Sequence, residues 1–205
     1  MSSSALWYAT RATGLVALVL LTTTTVLGIA TASRTGGRWW PRFAQQDLHR
    51  RVSMIAMVFL AGHVLTSILD TYVHIGWAAL VVPFASSYKR TWVALGTIGL
   101  DLLLAVAVTS LLRHRMNARL WRALHWLAYL SWPVALSHTF GMGTDMRLQW
   151  VTGLAIACIL AVVTAAIWRA GRTVLRRRRV LALAAVRTRA RGVPVKHLEV
   201  GGAAR

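Results

Sequence analysis

The chain alternates between long apolar stretches and short polar, arginine-rich ones. Five apolar stretches stand out, near residues 5–30, 52–72, 91–112, 121–140 and 150–168. Each matches or approaches the roughly 20 largely apolar residues that a helix needs to cross a bilayer. The pattern therefore predicts an all-α integral membrane bundle of about five transmembrane helices. A threonine run, Thr22 to Thr25, interrupts the first stretch, but threonine hydroxyls can bond back to the preceding turn and leave the helix intact. That stretch reads as a span and not a signal peptide, because it is long, lacks a cleavage site and precedes four more. Residues 31–46, with Gly36, Gly37 and Pro41, read as a turn region. The segment 75–84 is too short to span and is expected to lie in the interface or to cap the bundle. The seven apolar residues 180–186 cannot make a further span. The basic tail, 170–205, is therefore expected to be a helix lying on the inner leaflet.

Composition supports the same class. Hydrophobic residues make up 57% of the chain and charged ones 14%, against about 25% charged in soluble proteins. The single cysteine, Cys158, excludes a disulfide framework or thiolate metal site and reads as a small packing residue. A formal charge of +19 would suggest nucleic acid in a soluble protein, but its distribution points to anionic lipid instead. Arg34, Arg38, Arg42, Arg50 and Arg51 separate the first two stretches, and Arg113, Arg115, Arg119 and Arg122 separate the third and fourth. Eleven further basic residues follow from Arg169 to Arg205. The other side carries Lys89, Arg90 and Arg147, besides Arg11 within the first stretch. By the positive-inside rule the N-terminus is outside and the C-terminus cytoplasmic, in a multi-pass protein of the cell membrane. Tryptophans agree: Trp7, Trp77, Trp92 and Trp150 fall at outer ends, and Trp39, Trp40, Trp121 and Trp168 at inner ones, where amphipathic rings prefer the headgroup level.

Four of the seven histidines fall at related spacings. Thirteen residues separate His49 from His63 on the second stretch, and twelve separate His125 from His138 on the fourth. Both stretches run from inside to outside, so His49 matches His125 in depth and His63 matches His138. On a straight helix His49 and His63 lie within roughly 40° of one another and about 21 Å apart along the axis. His125 and His138 are about 140° apart on a straight helix, and a kink at the intervening Pro133 is the expected correction. Each pair could ligate a heme iron from both axial sides, and bis-histidine ligation favours electron transfer over oxygen binding. A lone histidine in a span is often a packing or proton-relay residue, but four at matched depths favour heme between the second and fourth helices. His49, beside Arg50 and Arg51, is the weak member and could be an interfacial loop residue. His74, His114 and His197 have no such partners and read as solvated or interfacial.

His49-x13-His63 followed by His125-x12-His138 resembles the ferric reductase-like transmembrane domain shared by ferric reductases and NADPH oxidases. The opening Leu6-Trp7-Tyr8-Ala9-Thr10-Arg11-Ala12-Thr13-Gly14-Leu15 is similar to the start of smaller bacterial members. Those include the heme-binding subunit of the periplasmic methionine-sulfoxide reductase system. The resemblance covers roughly residues 5–169, taken as one heme-binding domain, residues 1–169, with the basic tail after it. It implies two b-type hemes on the four histidines, carrying electrons across the membrane. Full-length ferric reductases carry a cytosolic flavin and nicotinamide domain, and many family members have six spans. Phe140-Gly141-Met142-Gly143 follows no strand and is not a dinucleotide fingerprint. The electron donor is therefore expected to be a separate flavoprotein or quinol, and the acceptor an outer-side partner such as a reductase. A single-heme quinol-linked subunit and a heme-free transporter or scaffold are the alternatives.

Further residues are candidates around such cofactors. Arg11, near the depth of His63, could pair with a heme propionate or snorkel to the headgroups. Arg50, Arg51 and Arg122 suit the propionates of the inner heme. Trp132 could stand between the hemes as a bridging aromatic, or pack beside Pro133. Asp101, mid-span, reads as a hydrogen-bonded structural group or proton relay. Topology gives the first test. A reporter fused after Arg205 is expected in the cytoplasm, and a label near Ser86 is expected to react from outside. A C-terminus labelled from outside would reverse the topology and exchange the two histidine levels.

Overall fold

The computed structural model describes residues 3–33, 41–70, 73, 75–143 and 148–190. Arg34, Arg38, Trp39, Trp40, His74, Arg147 and His197 lie outside the described residues. Those described form helices only: α1 (Ser3–Ala32), α2 (Arg42–Leu69), α3 (Arg90–Leu111), α4 (Ala118–His125), α5 (Leu127–Met142) and α6 (Gln149–Ala190), with 3-10 turns at Trp77–Leu80 and Arg113–Arg115. Four of them, α1, α2, α3 and α6, are long and apolar enough to cross a membrane. The expected fourth span is divided into α4 and α5, of 8 and 16 residues, so neither helix alone has the length of a span. At about 24 Å, the 16-residue α5 falls short of the roughly 30 Å hydrocarbon layer.

The division falls at Trp126, not at the expected kink, Pro133. The Trp126 amide bonds the carbonyls of both Arg122 and Ala123 at 3.2 Å, and Tyr129 bonds Trp126 at the tighter i→i+3 spacing, 3.0 Å. Such winding advances about 120° per residue instead of about 100°, which moves His125 toward the phase of His138. Pro133 lies inside α5 without ending it. A proline withholds only one ladder bond, and the neighbouring turns keep theirs.

The helices pair as α1 with α2 and α3 with α5; α1 also meets α5 and α6, and α4 packs on α3. In α1 the hydroxyls of Thr22, Thr23 and Thr25 bond back to the carbonyls of Leu18, Val19 and Leu21 at 2.8–2.9 Å, as the threonine run requires. Helix α2 starts at Arg42, well before its apolar stretch, because Pro41 has the extended geometry of a helix entry (φ −67°, ψ 151°) and Gln45 is buried. His49 therefore sits on a helix and not in a loop. The segment between α2 and α3 folds onto the bundle: Ala79 is buried, and its carbonyl accepts the Thr97 hydroxyl at 2.6 Å. Asn117 caps α4 by accepting the amide of Arg119 at 2.8 Å.

Leu18, Trp132, Leu136 and Cys158 form the buried core where α1, α5 and α6 meet. Outside it, large apolar residues stay exposed, among them Val58 (70%), Leu111 (76%) and Ile167 (67%). In water this would be an aggregation surface, but lipid tails are an equally apolar solvent and leave helix packing to close contact and hydrogen bonds. Helix α6 runs 42 residues, about 63 Å, without a break at residue 169. Residues 170–190 of the tail thus continue the last span as one rod, and the remainder lies outside the described residues.

Inside the core the indole Nε1–H of Trp132 donates to the Thr22 hydroxyl at 3.0 Å, joining α5 to α1. Trp132→Phe removes this donor and is expected to lower unfolding stability in detergent by about 1 kcal/mol. Trp132→Ala, which also opens a cavity, is expected to cost several times more. Denaturation of the Phe variant at the wild-type midpoint would show that the bond contributes nothing.

Candidate functional site

A large cavity, about 1840 Å³, lies within the bundle and is lined by all four spaced histidines. Its volume is about twice the upper end of a small-molecule site, which runs roughly 300–1,000 Å³. The histidines meet in two pairs. His49 and His125 have ring centres 6.3 Å apart with planes at 73°, and His63 and His138 have centres 6.3 Å apart with planes at 82°. The depth matching read from the spacing is thus realised in three dimensions, with α4 supplying one partner and α5 the other.

Backbone carbonyls on neighbouring helices hold three of these rings. His63 Nδ1 bonds the Thr10 carbonyl at 2.8 Å, His49 Nδ1 the Thr24 carbonyl at 3.1 Å, and His138 Nδ1 the Trp92 carbonyl at 2.7 Å. A carbonyl only accepts, so Nδ1 carries the hydrogen and Nε2 keeps its lone pair. Metal-ligating histidines are oriented by such a bond, which also raises their basicity. Each accepting carbonyl belongs to the residue four before a glycine. A Cβ on Gly14 would lie 2.9 Å from the His63 ring, one on Gly96 would lie 2.6 Å from His138 Cε1, and one on Gly28 would lie 3.4 Å from His49 Cε1. The two closest approaches, at Gly14 and Gly96, are ones only glycine permits.

His125 differs. Its ring stacks on Trp121 with centres 4.9 Å apart and planes at 25°, and its buried Nδ1 has no hydrogen-bond partner. Arg113 in turn lies over the Trp121 ring at 4.5 Å.

The pairs fit an axially ligated metal. With a metal–imidazole bond of about 2.0–2.1 Å and a ring nitrogen roughly 1.1 Å from its ring centre, two rings facing across one metal have centres ~6.3 Å apart. Among the described residues no group of three or more histidine, cysteine, aspartate or glutamate side chains could hold a metal ion. Two imidazoles alone leave a metal's other positions open, so the pairs suit a metal whose equatorial ligands come from elsewhere, as a porphyrin supplies them.

Arg11, Arg50 and Arg122 line the cavity; Arg51 and Trp132 do not. Arg51 forms an exposed 2.7 Å ion pair with Asp47, one turn before it on α2, so its charge is answered away from the cavity. Trp132 is 8% exposed and belongs to the core beside Leu18 and Leu136, because its side of α5 faces α1. Arg11 lies over the Trp7 ring, 3.6 Å from its centre. Asp101 is half-buried and does not line the cavity. The structure adds Arg113 and Arg169 at the same end as Arg50 and Arg122, with Arg169 donating to the Tyr129 hydroxyl at 3.3 Å. Gly14, Gly28 and Gly96 were also missed. The repeat of 14 residues from Gly14 to Gly28, matching that from His49 to His63, was the signal that could have found two of them.

One family model matches, that of the ferric reductase like transmembrane component, over residues 13–136. It covers more than half of the chain, takes in His49, His63 and His125, and stops just short of His138. No curated protein and no solved structure matches.

The glycine contacts can be tested by stability. Gly96→Ala places a methyl group against the His138 ring and is expected to cost about 1–3 kcal/mol as overpacking. That exceeds the roughly 1 kcal/mol that alanine gains in helix propensity. A Cβ at Gly153 meets open space, so Gly153→Ala is expected to hold or raise the melting temperature. Equal effects at both positions would remove any special role for Gly96.

Proposed function

Because the chain belongs to the ferric reductase-like transmembrane component family, whose members are heme-binding redox domains of membrane electron transfer, we propose that it carries electrons across the membrane through two b-type hemes. His63 and His138 hold the outer heme, and His49 and His125 the inner one. The observation that carries this reading is the repeated pair geometry, 6.3 Å between ring centres at each of two levels of one cavity. A bis-histidine heme supplies one-electron chemistry at an iron whose axial positions are filled, which suits electron transfer and disfavours oxygen binding. The protein's own contribution is orientation. The carbonyls of Thr10, Thr24 and Trp92 fix the tautomer of three rings and leave each Nε2 with its lone pair.

The basic asymmetry of the loops supports an N-terminus outside and a C-terminus in the cytoplasm. In that orientation Arg50, Arg113, Arg122 and Arg169 surround the inner end of the cavity. Four cations there favour the carboxylates of the inner heme and an acidic or quinol donor arriving from the cytoplasmic side. Arg11 at the outer end has the same use for the outer heme. Electrons then enter at the His49–His125 level and leave at the His63–His138 level toward an acceptor outside. A second reading keeps only the outer heme in a quinol-linked subunit. It is favoured by one observation, the buried His125 Nδ1 without a partner.

Heme content per chain and the reduced visible spectrum test the proposal. The wild type is expected to hold two hemes with the sharp reduced bands of bis-histidine ligation. His63→Ala and His138→Ala are each expected to lose the outer heme, and His49→Ala and His125→Ala the inner one. A wild type without heme, or full heme content in all four variants, would sink the assignment. A content of one heme, unaffected by His49→Ala, would select the quinol-linked reading.

A further inference from the structure

The three hydrogen-bonded histidines follow one local rule: the ring bonds the carbonyl of a residue whose fourth successor is glycine. On α1 the rule appears twice, at Thr10 with Gly14 and at Thr24 with Gly28. The repeat of 14 residues equals the interval from His49 to His63 and turns a helix by only about 40° from its starting phase. On α3 it appears at Trp92 with Gly96. Carrying the same 14 residues along α3 leads from Trp92 to Val106 and from Gly96 to Ser110. Both residues line the cavity, and α3 packs on α4, which ends at His125.

The fourth position breaks the rule at its glycine: Ser110 carries a Cβ where the other three have none. The Val106 carbonyl accepts the Thr109 hydroxyl at 3.2 Å, just as the Thr10 carbonyl accepts that of Thr13 at 3.1 Å while also taking His63, so the hydroxyl by itself does not bar an imidazole. His125 has no partner for its buried Nδ1 and is held by stacking on Trp121, one turn earlier on its own helix. We propose that Ser110 is a positioning residue that keeps the His125 ring off α3, making His125 the most weakly held axial ligand and the inner heme the one open to exogenous ligands. This inference rests on the two-heme reading above.

The chemistry follows from the missing bond. A carbonyl on Nδ1–H raises the electron density at Nε2 and fixes the ring's rotation, and loss of such support costs roughly 10–100-fold in metal affinity. His125 lacks both effects, so of the four histidines it would hold an iron least firmly and would be the first to yield its place to a small neutral ligand. The weaker donor also stabilises the ferric state less, which sets the inner heme at the higher potential of the two when their surroundings are otherwise equal.

Carbon monoxide on the reduced full-length chain in nanodiscs is the probe, with heme content measured alongside. In the wild type one of the two hemes is expected to take carbon monoxide. In Ser110→Gly the ring can seat against α3, and carbon monoxide affinity is expected to fall at least tenfold. Ser110→Ala keeps the Cβ and is expected to behave as the wild type. Gly96→Ser builds the same obstruction on the outer side and is expected to open the outer heme, so that both take the ligand. Nitrogen-15 spectra of the histidine-labelled chain read the same geometry whether or not heme is bound. Three of the four cavity rings should show a carbonyl-bonded Nδ1–H in the wild type, and all four in Ser110→Gly. Two hemes that bind carbon monoxide equally, or an unchanged Ser110→Gly, would overturn this inference and leave the two-heme reading intact. A chain with fewer than two hemes overturns that reading, and the nitrogen-15 spectra then decide whether Ser110 holds His125 off α3: a fourth bonded ring already present in the wild type overturns it.

Discussion

A histidine inside a bilayer has two ring nitrogens to satisfy where water is absent, and this arrangement answers both. In three of the four cavity histidines one nitrogen donates to a carbonyl of the neighbouring helix, and the other keeps its lone pair. Each bond ties one helix to another: His49 and His63 join α2 to α1, and His138 joins α5 to α3. A carbonyl within a helix already accepts one amide, yet it has a second lone pair, so the imidazole is accommodated without breaking the ladder. The glycines follow from that constraint, since a ring can reach a helix backbone only where the facing side chain is missing.

Packing elsewhere is arranged around keeping this cavity open. The buried core is small and lies to one side, at Leu18, Trp132, Leu136 and Cys158. The α1–α2 and α3–α5 pairs close on each other through α1 and α5, and α6 braces α1 from outside. Large side chains point outward to lipid, because burial gives them no advantage in an apolar solvent. Leucines such as Leu21, Leu60 and Leu103 line the cavity together with small residues, threonines and the histidine rings.

The two ends of the cavity are unequal. The His63–His138 level has both rings hydrogen-bonded and glycines beneath both. The His49–His125 level has one bonded ring and one stacked ring, and Arg50, Arg113, Arg122 and Arg169 line the cavity at that end. The break at Trp126 lies at this second level, where His125 is the last residue of α4. The element with the least regular backbone thus carries the ring with the least hydrogen-bond support.

Hydropathy and spacing along the chain determined the class, the approximate spans and the matching of His49 with His125 and of His63 with His138. Those features depend on residue type and on helical rise, both of which are local. The family resemblance was carried by the same four positions, and the matching family model spans three of them. What the sequence did not disclose depends on contacts between residues far apart in the chain. The Thr10 carbonyl meets His63, Trp92 meets His138, and Trp132 meets Thr22 across 110 positions. No periodicity encodes which face of α5 turns toward α1, so Trp132 went to the core and not to the space between the rings. Local geometry also misled at Pro133, because a single missing amide bends a helix only if its neighbours allow it, and the turn at Trp126 adjusted the histidine phase instead. Arg51 has an acid one turn away to answer its charge, whereas Arg113 and Arg169 reach the cavity only because three helices converge there. The sequence determined which residues could serve. The tertiary structure decided which of them meet, since a hydrogen bond requires a partner within about 3 Å and only folding brings one there.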